Sequence, residues 1–503
     1  AETFATFTVS LSAASGRPTS VGFATADGTA TGAADFTQFP GGLLEFAPGE
    51  TSKVVSIPIL GDTLNEADET FFVNLSAAVN ASLADAQGVG TILDNDPVPT
   101  LSIGDVRIAE GPTGGTAAAV FTVSLSAPSG RKVTVAFATQ DGTALAGRDY
   151  TGVSSQLLTI PAGAEQGTLS ISIIGDREVE NTEQFFVALF APSGAIIGDA
   201  AATGTIANDD VVLINPHTAT FTDEDGDLVT VRLTHGKLTA DDFTLALGDG
   251  TVGMRLAELS LLGRAGAGLV IKATPQPGLG GNGEVNVGRI DATGVSLSSV
   301  KVRGDLGEID AGALGSIPAI ATLDVRSMGA SHASGTPALA SDLVGGVSSI
   351  RVRGDLNGIR LTASGSGASF PSISIEGDVD GDGAPGARIF ADHRIGALSV
   401  AGVWRATDLV AGAGAGADGF FGTSDDILLP SAASAVSVIA RITITCGVFG
   451  TAAGGDHFGF VAGKLGKLEI AGILLPLNPG PGNDLEGFPI GTTGDFRARE
   501  VTA

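Results

Sequence analysis

The first part of the sequence contains an internal repeat. The segment FTVSLSAASGRP, which begins at Phe7, returns as FTVSLSAPSGRK at Phe121, an offset of 114 residues from position 7 to position 121. The same offset holds as far as Asp96 and Asp210, without an insertion. A constant offset of this kind is produced by domain duplication. The sequence therefore predicts two consecutive domains of one fold, at residues 1–97 and 99–210.

Apolar and polar residues alternate within each copy. Segments such as KVVSIPIL and TFFVNLS have the period of two that is typical of half-buried strands, and turns rich in Gly, Asp, Asn and Pro separate them. Helical periodicity is missing. Short strands at this spacing predict an all-β chain in which each copy is a two-sheet antiparallel β-sandwich.

Three motifs of the second copy, FATQDGTALAGRDYTG, IIGDREVENTEQFFVAL and GTIANDD, resemble the Calx-β domain, and their counterparts in the first copy do so too. The resemblance covers residues 1–97 and 99–210. It implies immunoglobulin-like sandwiches whose loops at one end hold Ca²⁺. Gly61 and Gly175 stand where multi-calcium members carry another Asp, which implies one or two ions per site. Asn208 replaces the acid found at Asp94 in the first copy.

The acidic turns of both copies supply the oxygen ligands that Ca²⁺ requires. The predicted ligands are Asp35, Asp62, Glu66, Asp94 and Asp96 in the first copy, with Glu69 in support, and Glu110, Asp149, Asp176, Glu180, Asp209 and Asp210 in the second, with Glu183 in support. Solvated acidic turns are the alternative. That alternative fits Asp27 and Asp141 best, so we interpret these two residues as turn formers.

The two copies differ at their start. LSIGDVRIAEG precedes the second copy as a predicted first strand ending in the ligand Glu110, whereas the first copy has no such segment. Three explanations stay open: the chain is a piece of a longer protein, the domain tolerates the loss, or another molecule supplies the strand. The C-terminal GDFRAREVTA resembles GDVRIAEGPT, since Gly494, Asp495, Arg497 and Glu500 align with Gly104, Asp105, Arg107 and Glu110. One hypothesis is therefore that this tail completes the first sandwich of the next subunit and gives Glu500 to its calcium site, which would build a filament.

The remaining sequence predicts two further β regions. Residues 213–277 form a small β unit whose first turn holds Asp223, Asp225 and Asp227, which suit either Ca²⁺ or a solvated turn. In residues 280–503, LSSVKVRGDLGEIDAG returns as VSSIRVRGDLNGIRLTA, and such irregular repeats predict a β-solenoid with a C-terminal tail strand. This region is similar to C-terminal regions of large surface proteins of planctomycete-like and verrucomicrobial bacteria.

Several short motifs within these regions match ligand-binding patterns but also fit ordinary loops and turns. GLGGNG at 278–283 matches a dinucleotide-binding pattern, but no helix follows it, so we interpret it as a loop. Calcium and ordinary turns remain equal alternatives for two acidic groups: Asp378, Asp380 and Asp382, and Asp418, Asp425 and Asp426.

Charge and composition exclude several classes of partner and function. The net charge of −28 disfavours nucleic acid and anionic lipid as partners, and no apolar run is long enough for a membrane span. Cys446 is the only cysteine, so the chain forms no internal disulfide. No recognisable catalytic motif is present, which predicts a protein that is not an enzyme.

The function predicted from the sequence is that of a secreted, calcium-binding structural protein of a bacterial cell surface. It would act as a subunit or segment of a filament or layer and would self-associate or belong to a longer surface protein. An adhesin fragment that binds a glycan or a cell surface is the alternative, with a polysaccharide as a possible partner. A β-helix polysaccharide lyase or hydrolase is less favoured, because paired catalytic carboxylates in one groove are not recognisable.

Overall fold

The structure is a computed structural model that describes residues 3–111, 113–248, 253–315, 318–329, 338–381, 387–429, 436–450, 457–478, 480–481, 484, 488–490 and 496–502. Strands dominate these ranges, and their one helical element is a 3₁₀ turn, Ala240–Asp242. The prediction of an all-β chain is thus confirmed. Among the described residues no helix has the length and apolar character needed to cross a membrane.

Two compact units divide the chain. The first comprises Ala1–Arg107, Thr116–Ile174 and Gln184–Thr205, and the second comprises Ile108–Gly115, Gly175–Glu183 and Ile206–Ala503. Glu110, Asp176, Glu180 and Asp210 thus group with the residues that follow the second copy in sequence, whereas Asp149 belongs to the first unit.

The first copy forms two antiparallel sheets. Its strands are β1 (Thr3–Ser10), β2 (Thr19–Asp27), β3 (Gly42–Phe46), β4 (Ser52–Ile59), β5 (Glu69–Val79) and β6 (Gln87–Ile92). The sheet orders are β3-β2-β5-β6 and β1-β4. Side chains alternate between buried and exposed along these strands, as the period of two requires.

The second copy has the same strands and three more. Its elements are β7 (Thr100–Ile103), β8 (Val106–Ala109), β9 (Thr116–Leu125), β10 (Val133–Asp141), β11 (Gln156–Ile160), β12 (Gln166–Ile174), β13 (Glu183–Ser193), β14 (Ile196–Ile197) and β15 (Ala201–Ala207). They form sheets in the orders β11-β10-β13-β15-β8 and β12-β9-β7-β14.

Strand register and core packing repeat between the copies. Phe7 lies opposite Val55 on β4, and Phe121 lies opposite Leu169 on β12, so the sequence offset is kept in three dimensions. An aromatic pair repeats as well: the Phe36 and Phe71 rings stack with centroids 4.5 Å apart, and the rings of Tyr150 and Phe185 do the same at 4.5 Å. The predicted duplication of a β-sandwich is therefore confirmed.

A groove marks the place where the copies differ. Among the described residues β1 pairs with β4 alone, whereas its counterpart β9 also pairs with β7, through Leu101 opposite Leu125 and Ile103 opposite Val123. In the first copy a groove of about 620 Å³ lies along the free edge of β1 and β6. Its apolar lining includes Phe7, Val9, Leu11, Val73, Leu75 and Leu83.

The rest of the chain forms one sheet of 24 strands. Its members follow chain order: β16 (Val212–Asn215), β17 (Thr218–Thr222), β18 (Leu228–Leu233), β19 (Phe243–Leu247), β20 (Met254–Ser260), β21 (Gly268–Lys272), β22 (Val285–Thr293), β23 (Ser299–Gly312), β24 (Ile320–Met328), β25 (Leu339–Val352), β26 (Leu356–Asn357), β27 (Ile359–Ile375), β28 (Val379–Asp380), β29 (Arg388–Ala391), β30 (Arg394–Val400), β31 (Val403–Arg405), β32 (Asp408–Ala411), β35 (Val438–Ile444), β36 (Gly447–Phe449), β37 (Phe458–Ala462), β38 (Lys464–Ile470), β39 (Ile473–Leu474), β40 (Phe488–Ile490) and β41 (Phe496–Glu500). A separate hairpin joins β33 (Ala413–Gly414) and β34 (Ile427–Leu428).

Parallel pairing dominates this large sheet from β22 onward and builds apolar ladders. One ladder consists of buried residues that are direct partners from strand to strand: Val300, Leu323, Ile350, Ile373, Leu398, Ile442 and Leu468. Stacked ladders of this type are what a β-solenoid needs in order to bury its inward side chains. The β-solenoid itself stays a prediction.

The C-terminal tail belongs to this large sheet of its own chain. Strand β41 pairs in parallel with β37, with Glu500 opposite Ala462, and its Phe496 and Ala498 are fully buried. The Glu500 side chain is also fully buried, and its Oε1 accepts a hydrogen bond from the Leu465 amide at 2.7 Å. In this structure the tail thus completes the sheet of its own chain, and the hypothesis that it joins a neighbouring subunit and gives Glu500 to its calcium site stays a prediction. Gly494 and Asp495 lie outside the described residues.

Candidate calcium sites

The acidic residues of the first copy converge where strands end. Asp35 lies in the turn after β2, Asp62 and Glu66 lie between β4 and β5, and Glu69 is the first residue of β5. Asp35, Glu66 and Glu69 each place a carboxylate oxygen within 4.8 Å of the other two. Glu69, which the sequence suggested in a supporting role, is thus a direct member of this cluster, which we call site 1.

The charges around Glu66 show which other residues belong to site 1. Burial raises the pKa of Glu66, and the nearby carboxylates of Asp62, Asp35, Asp94 and Asp96 raise it further. Burial also raises the pKa of Glu69, followed by the charges of Asp35 and Glu66. The other four predicted ligands of the first copy therefore lie near enough to Glu66 to act on its charge.

Hydrogen bonds fix the orientation of three of these carboxylates, two within turns and one between distant segments. Asp35 Oδ2 accepts from the Thr31 amide at 2.6 Å, and Asp62 Oδ1 accepts from the Leu64 amide at 2.7 Å. Asp94 Oδ2 accepts from the Asn65 side-chain amide at 2.8 Å. Local turn geometry thus orients Asp35 and Asp62, whereas a long-range contact orients Asp94.

Site 1 also contacts the second copy. The backbone oxygen of the buried Asn65 accepts hydrogen bonds from the Gly130 amide at 3.1 Å and from Ser129 Oγ at 3.2 Å. Glu66 packs against Gly130 so closely that a Cβ there would lie 2.2 Å from Glu66 Oε1. The loop that carries Glu66 therefore forms part of the joint between the copies, which the sequence did not reveal.

A second cluster, site 2, consists of Glu110, Asp176 and Asp210, whose carboxylate oxygens lie within 4.8 Å of one another. Glu110 is only 4% exposed, and its Oε1 accepts from the Asp176 amide at 2.8 Å. In the described part of the chain, the buried Asp210 Oδ2 has no hydrogen-bond partner.

Burial dominates the electrostatics of site 2. It raises the pKa of Glu110 to about 7 against the opposing effect of the Asp176 amide, and the charges of Asp176, Asp210 and Asp209 act in the same direction as burial. Burial and neighbouring acids, Asp209 first, raise the pKa of Asp210 to about 6. A cation in this position would remove the cost of holding these groups ionised.

Two other predicted ligands of the second copy, Asp209 and Asp149, hold backbone in place. Asp209 Oδ2 accepts from the Gly111 amide at 3.2 Å, and burial raises the pKa of Asp209. Asp149 is buried, and its Oδ2 accepts from the Leu145 amide at 2.7 Å. The Glu180 amide donates to Asn208 Oδ1 at 3.2 Å, so Asn208 provides an amide oxygen where the first copy has a carboxylate.

Several acidic residues act as turn formers. Asp27 Oδ1 accepts from the Gly32 amide and Asp141 Oδ1 from the Ala146 amide, both at 2.9 Å, as we expected from the sequence. Asp425 accepts from Thr423 Oγ1 at 2.7 Å and from the Asp418 amide at 3.1 Å, and Asp426 Oδ2 accepts from the Gly422 amide at 2.8 Å.

The acidic segment that holds Asp378, Asp380 and Asp382 has structural contacts. Asp378 Oδ1 accepts from the Val403 amide at 2.8 Å, and Asp380 pairs with Arg405 at 3.1 Å. Asp382 lies outside the described residues. These contacts hold adjacent strands together and favour the structural alternative for this segment.

The candidate ligand atoms described at sites 1 and 2 are carboxylate and amide oxygens. Ca²⁺ takes six to eight such ligands at 2.3–2.6 Å and accepts irregular geometry, whereas Zn²⁺ prefers nitrogen and sulfur. The partnerless Asp210 Oδ2 is an acceptor that a cation would satisfy. The residues present therefore fit Ca²⁺.

Comparison with known proteins agrees with this donor set. Residues 1–97 and 105–227 match the family model of the Calx-beta domain. Both sandwiches thus match the Calx-beta domain, which is a calcium-binding domain. The match ends at residue 227, so it does not cover most of the large sheet.

Two curated relatives and two crystal structures illustrate the similarity. Extracellular matrix protein 3 of Lytechinus variegatus is 30% identical over 180 residues, which are 34% of this chain and 6% of that protein. Sodium/calcium exchanger 2 of Rattus norvegicus is 31% identical over 194 residues, 34% of this chain and 20% of that protein. The apo-form Calx CBD1 domain is 29% identical, with 23% of this chain and 100% of that chain covered and a TM-score of 0.20. CBD12 from CALX1.2 is 20% identical, with 40% and 92% covered and a TM-score of 0.20.

The chain covers only a small part of these curated relatives. The matches span 6% of the extracellular matrix protein and 20% of the exchanger. The similarity therefore concerns the sandwich domains and does not transfer the activity of either whole protein.

Proposed function

We propose that this chain is a calcium-binding segment of an extracellular structural protein, in which Ca²⁺ stiffens the two sandwiches. The observation that carries this proposal is the cluster of Asp35, Glu66 and Glu69, whose carboxylate oxygens lie within 4.8 Å of one another. Carboxylates this close repel one another, and a divalent cation converts that repulsion into attraction. Calx-beta is a calcium-binding rather than a catalytic domain, which agrees with a role that is not enzymatic.

Calcium at site 1 would act on the joint between the two copies. Asn65 links the site to the second copy, because its side chain donates to Asp94 and its backbone oxygen accepts from Gly130. A bound ion that holds Asp94 and Glu66 in place would also hold the 62–66 loop against Ser129 and Gly130. Binding to the folded state alone also stabilises that state by mass action.

We place this function at a bacterial cell surface, as a subunit or segment of a filament or layer. An extracellular matrix protein is among the relatives of the sandwiches, and the acidic, single-cysteine composition suits that setting. The buried ladders give the large sheet a continuous apolar core, which suits a structural role. The self-association expected from the sequence belongs to this proposal, with the tail paired in its own chain.

Calcium titration of the full chain by calorimetry tests the binding. The comparison set is the wild type, Glu66→Gln, Asp210→Asn and the turn-former control Asp27→Asn, each first stripped with chelator. We expect Glu66→Gln and Asp210→Asn each to weaken or abolish one class of sites, and Asp27→Asn to bind like the wild type. A wild type without saturable binding at millimolar Ca²⁺, or equal losses in Asp27→Asn, would refute the proposal.

Sedimentation velocity with millimolar Ca²⁺, and again with excess chelator, tests the assembly. We expect larger species in Ca²⁺ that disappear in chelator, and fewer of them in a Glu66→Gln/Asp210→Asn variant. A wild type that remains monomeric under both conditions would rule out self-assembly of this chain while leaving its calcium binding intact.

A further inference from the structure

A third acidic group lies outside both sandwiches, in the turn between β17 and β18. The residues are Asp223, Glu224, Asp225, Gly226 and Asp227. The Asp223 amide donates to the Asp227 backbone oxygen at 2.9 Å, and the Gly226 amide donates to the Asp223 backbone oxygen at 3.1 Å. Gly226 adopts a φ of 95°, which favours glycine. The turn is thus closed tightly, and it brings alternate side chains together.

The three aspartates are withdrawn from solvent. Asp223 is 4% exposed and Asp227 is fully buried, while Asp225 is half-buried. One carboxylate oxygen of each lies within 4.8 Å of the other two. Aspartates of a solvated turn would point into water, so this burial argues against the solvated alternative.

Unsatisfied oxygens point to a ligand. The buried Oδ1 atoms of Asp227 and Asp225 have no hydrogen-bond partner within the described ranges. In the same ranges no Lys or Arg forms an ion pair with any of the three aspartates. A buried carboxylate oxygen without a partner is costly, and a cation is the group that would satisfy two such oxygens at once.

The glycine-rich segment 278–283 forms the other wall of this group. The Gly283 amide donates to Asp227 Oδ2 at 2.5 Å, and the Asn282 amide donates to Asp225 Oδ2 at 3.3 Å. A Cβ at position 281 would lie 1.7 Å from Asp227 Oδ1, so only glycine allows this approach. The motif that resembles a dinucleotide loop therefore serves to bring backbone up to the aspartates.

We propose that Asp223, Asp225 and Asp227 bind a Ca²⁺ ion, with the 278–283 loop closing one side of the site. The donors are oxygens only, as Ca²⁺ prefers, and their close grouping supplies the charge that attracts a divalent cation. The ion would tie the β17–β18 turn to the loop that precedes β22. This site is independent of sites 1 and 2 and goes beyond the proposed function.

Counting bound calcium tests this site. Equilibrium dialysis of the full chain against Ca²⁺, followed by metal analysis, gives the number of ions per chain. Asp227→Asn keeps an oxygen that can accept from Gly283 but removes the charge, and we expect it to bind one ion fewer than the wild type. Glu224→Gln is the matched control in the same turn, since Glu224 accepts from Asn286 Nδ2 and lies outside the cluster. We expect it to bind as many ions as the wild type.

The outcomes separate this site from the others. If Asp227→Asn binds as many ions as the wild type, the proposal is overturned. If Asp227→Asn does not fold, the half-buried Asp225→Asn replaces it, with the same loss expected and the same outcome decisive. The double variant Glu66→Gln/Asp210→Asn should still bind one ion, and adding Asp227→Asn to it should remove that ion. If Asp227→Asn binds fewer ions than the wild type but the Glu66→Gln/Asp210→Asn variant binds as many, the result would support this site and contradict sites 1 and 2.

Discussion

The two sandwiches are the same fold with and without its first strands. In the second copy Leu101 and Ile103 of β7 are buried against β9, and Phe121 and Val123 are fully buried with them. In the first copy the equivalent Phe7 and Val9 are only half-buried and line the groove. The comparison shows that β7 completes the core and protects the edge without setting the register, because β1 and β4 pair as β9 and β12 do.

Opening the same groove in the second copy should have the largest effect. Leu101→Ala removes a fully buried side chain between β7 and β9, and we expect a loss of about 2–5 kcal/mol in the free energy of unfolding of this sandwich. Tyr150 is the only tyrosine, so its fluorescence in a urea titration reports on the second copy. The control is Leu157→Ala, at a side chain that is 65% exposed. Equal losses in both variants would show that β7 is not part of the core.

The pH dependence of the second sandwich should reveal site 2. The pKa of Glu110 is raised from 4.5 to about 7 in the fold, so its contribution to stability is complete below pH 4.5 and is lost as the pH rises through 7. In chelator we expect a loss on the order of 3 kcal/mol across this window, which saturating Ca²⁺ should largely restore. Urea titrations between pH 4.5 and pH 8 measure it, and Glu110→Gln should flatten the profile. A wild-type profile that is flat in chelator would contradict the burial of an ionising Glu110.

A synthetic peptide can supply the strand that the first copy lacks. The peptide of residues 99–111 carries Leu101, Ile103 and Glu110, and we expect it to slow hydrogen exchange of β1 amides in the full chain. At a hundredfold excess over its dissociation constant it should stabilise the first copy by about 2.7 kcal/mol. A peptide with Leu101→Asp and Ile103→Asp is the control. Equal protection by both peptides, or by neither, would show that the groove does not select a strand of this pattern.

A single hydroxyl also separates the copies. Tyr150 donates to Asp141 Oδ1 at 2.6 Å, whereas the first copy has Phe36 in the equivalent place. Tyr150→Phe should cost about 1 kcal/mol of unfolding free energy, measured by hydrogen exchange of β10, since the ring stack with Phe185 stays. The reverse change, Phe36→Tyr, should leave the second copy unchanged. A Tyr150→Phe variant without any loss would mean that water replaces the hydroxyl at no cost.

The smallest expected effect on stability lies at the joint. A Cβ in Gly130→Ala must displace the flexible Glu66 carboxylate, so we expect a few tenths of a kcal/mol in stability but several-fold weaker Ca²⁺ binding at site 1. Gly16→Ala is the matched control, because nothing lies within 4 Å of a Cβ at this equivalent position of the first copy. Calorimetric titration measures both. Unchanged affinity in Gly130→Ala would separate site 1 from the joint.

Local patterns explain what the sequence could predict. The alternation in TFTVSLS and the constant offset between Phe7 and Phe121 define strands and duplication, because both depend on neighbours along the chain. The acidic turns were recognisable for the same reason. The direct role of Glu69 in site 1 was not, since it depends on where a strand begins relative to a distant turn.

Long-range contacts explain what could not be predicted from the sequence. The similarity between the tail and the segment before the second copy suggested strand donation, but Phe496 and Ala498 are buried beside β37 of the same chain. No local pattern indicates that a glycine loop more than fifty residues away in sequence reaches Asp227, because only the folded sheet brings them together.

The ladders of the large sheet have a consequence for how this chain can change over generations. Leu398 and Ile442 are direct neighbours across the sheet, although β31, β32 and the β33–β34 hairpin lie between them along the chain. Two neighbouring ladder residues can pair whatever the length of the segment between them. The entropic cost of closing a longer loop grows only slowly. The ladder residues can therefore be inherited unchanged while the segments between them lengthen, shorten or are exchanged. Such positions offer natural points for grafting foreign segments onto the protein.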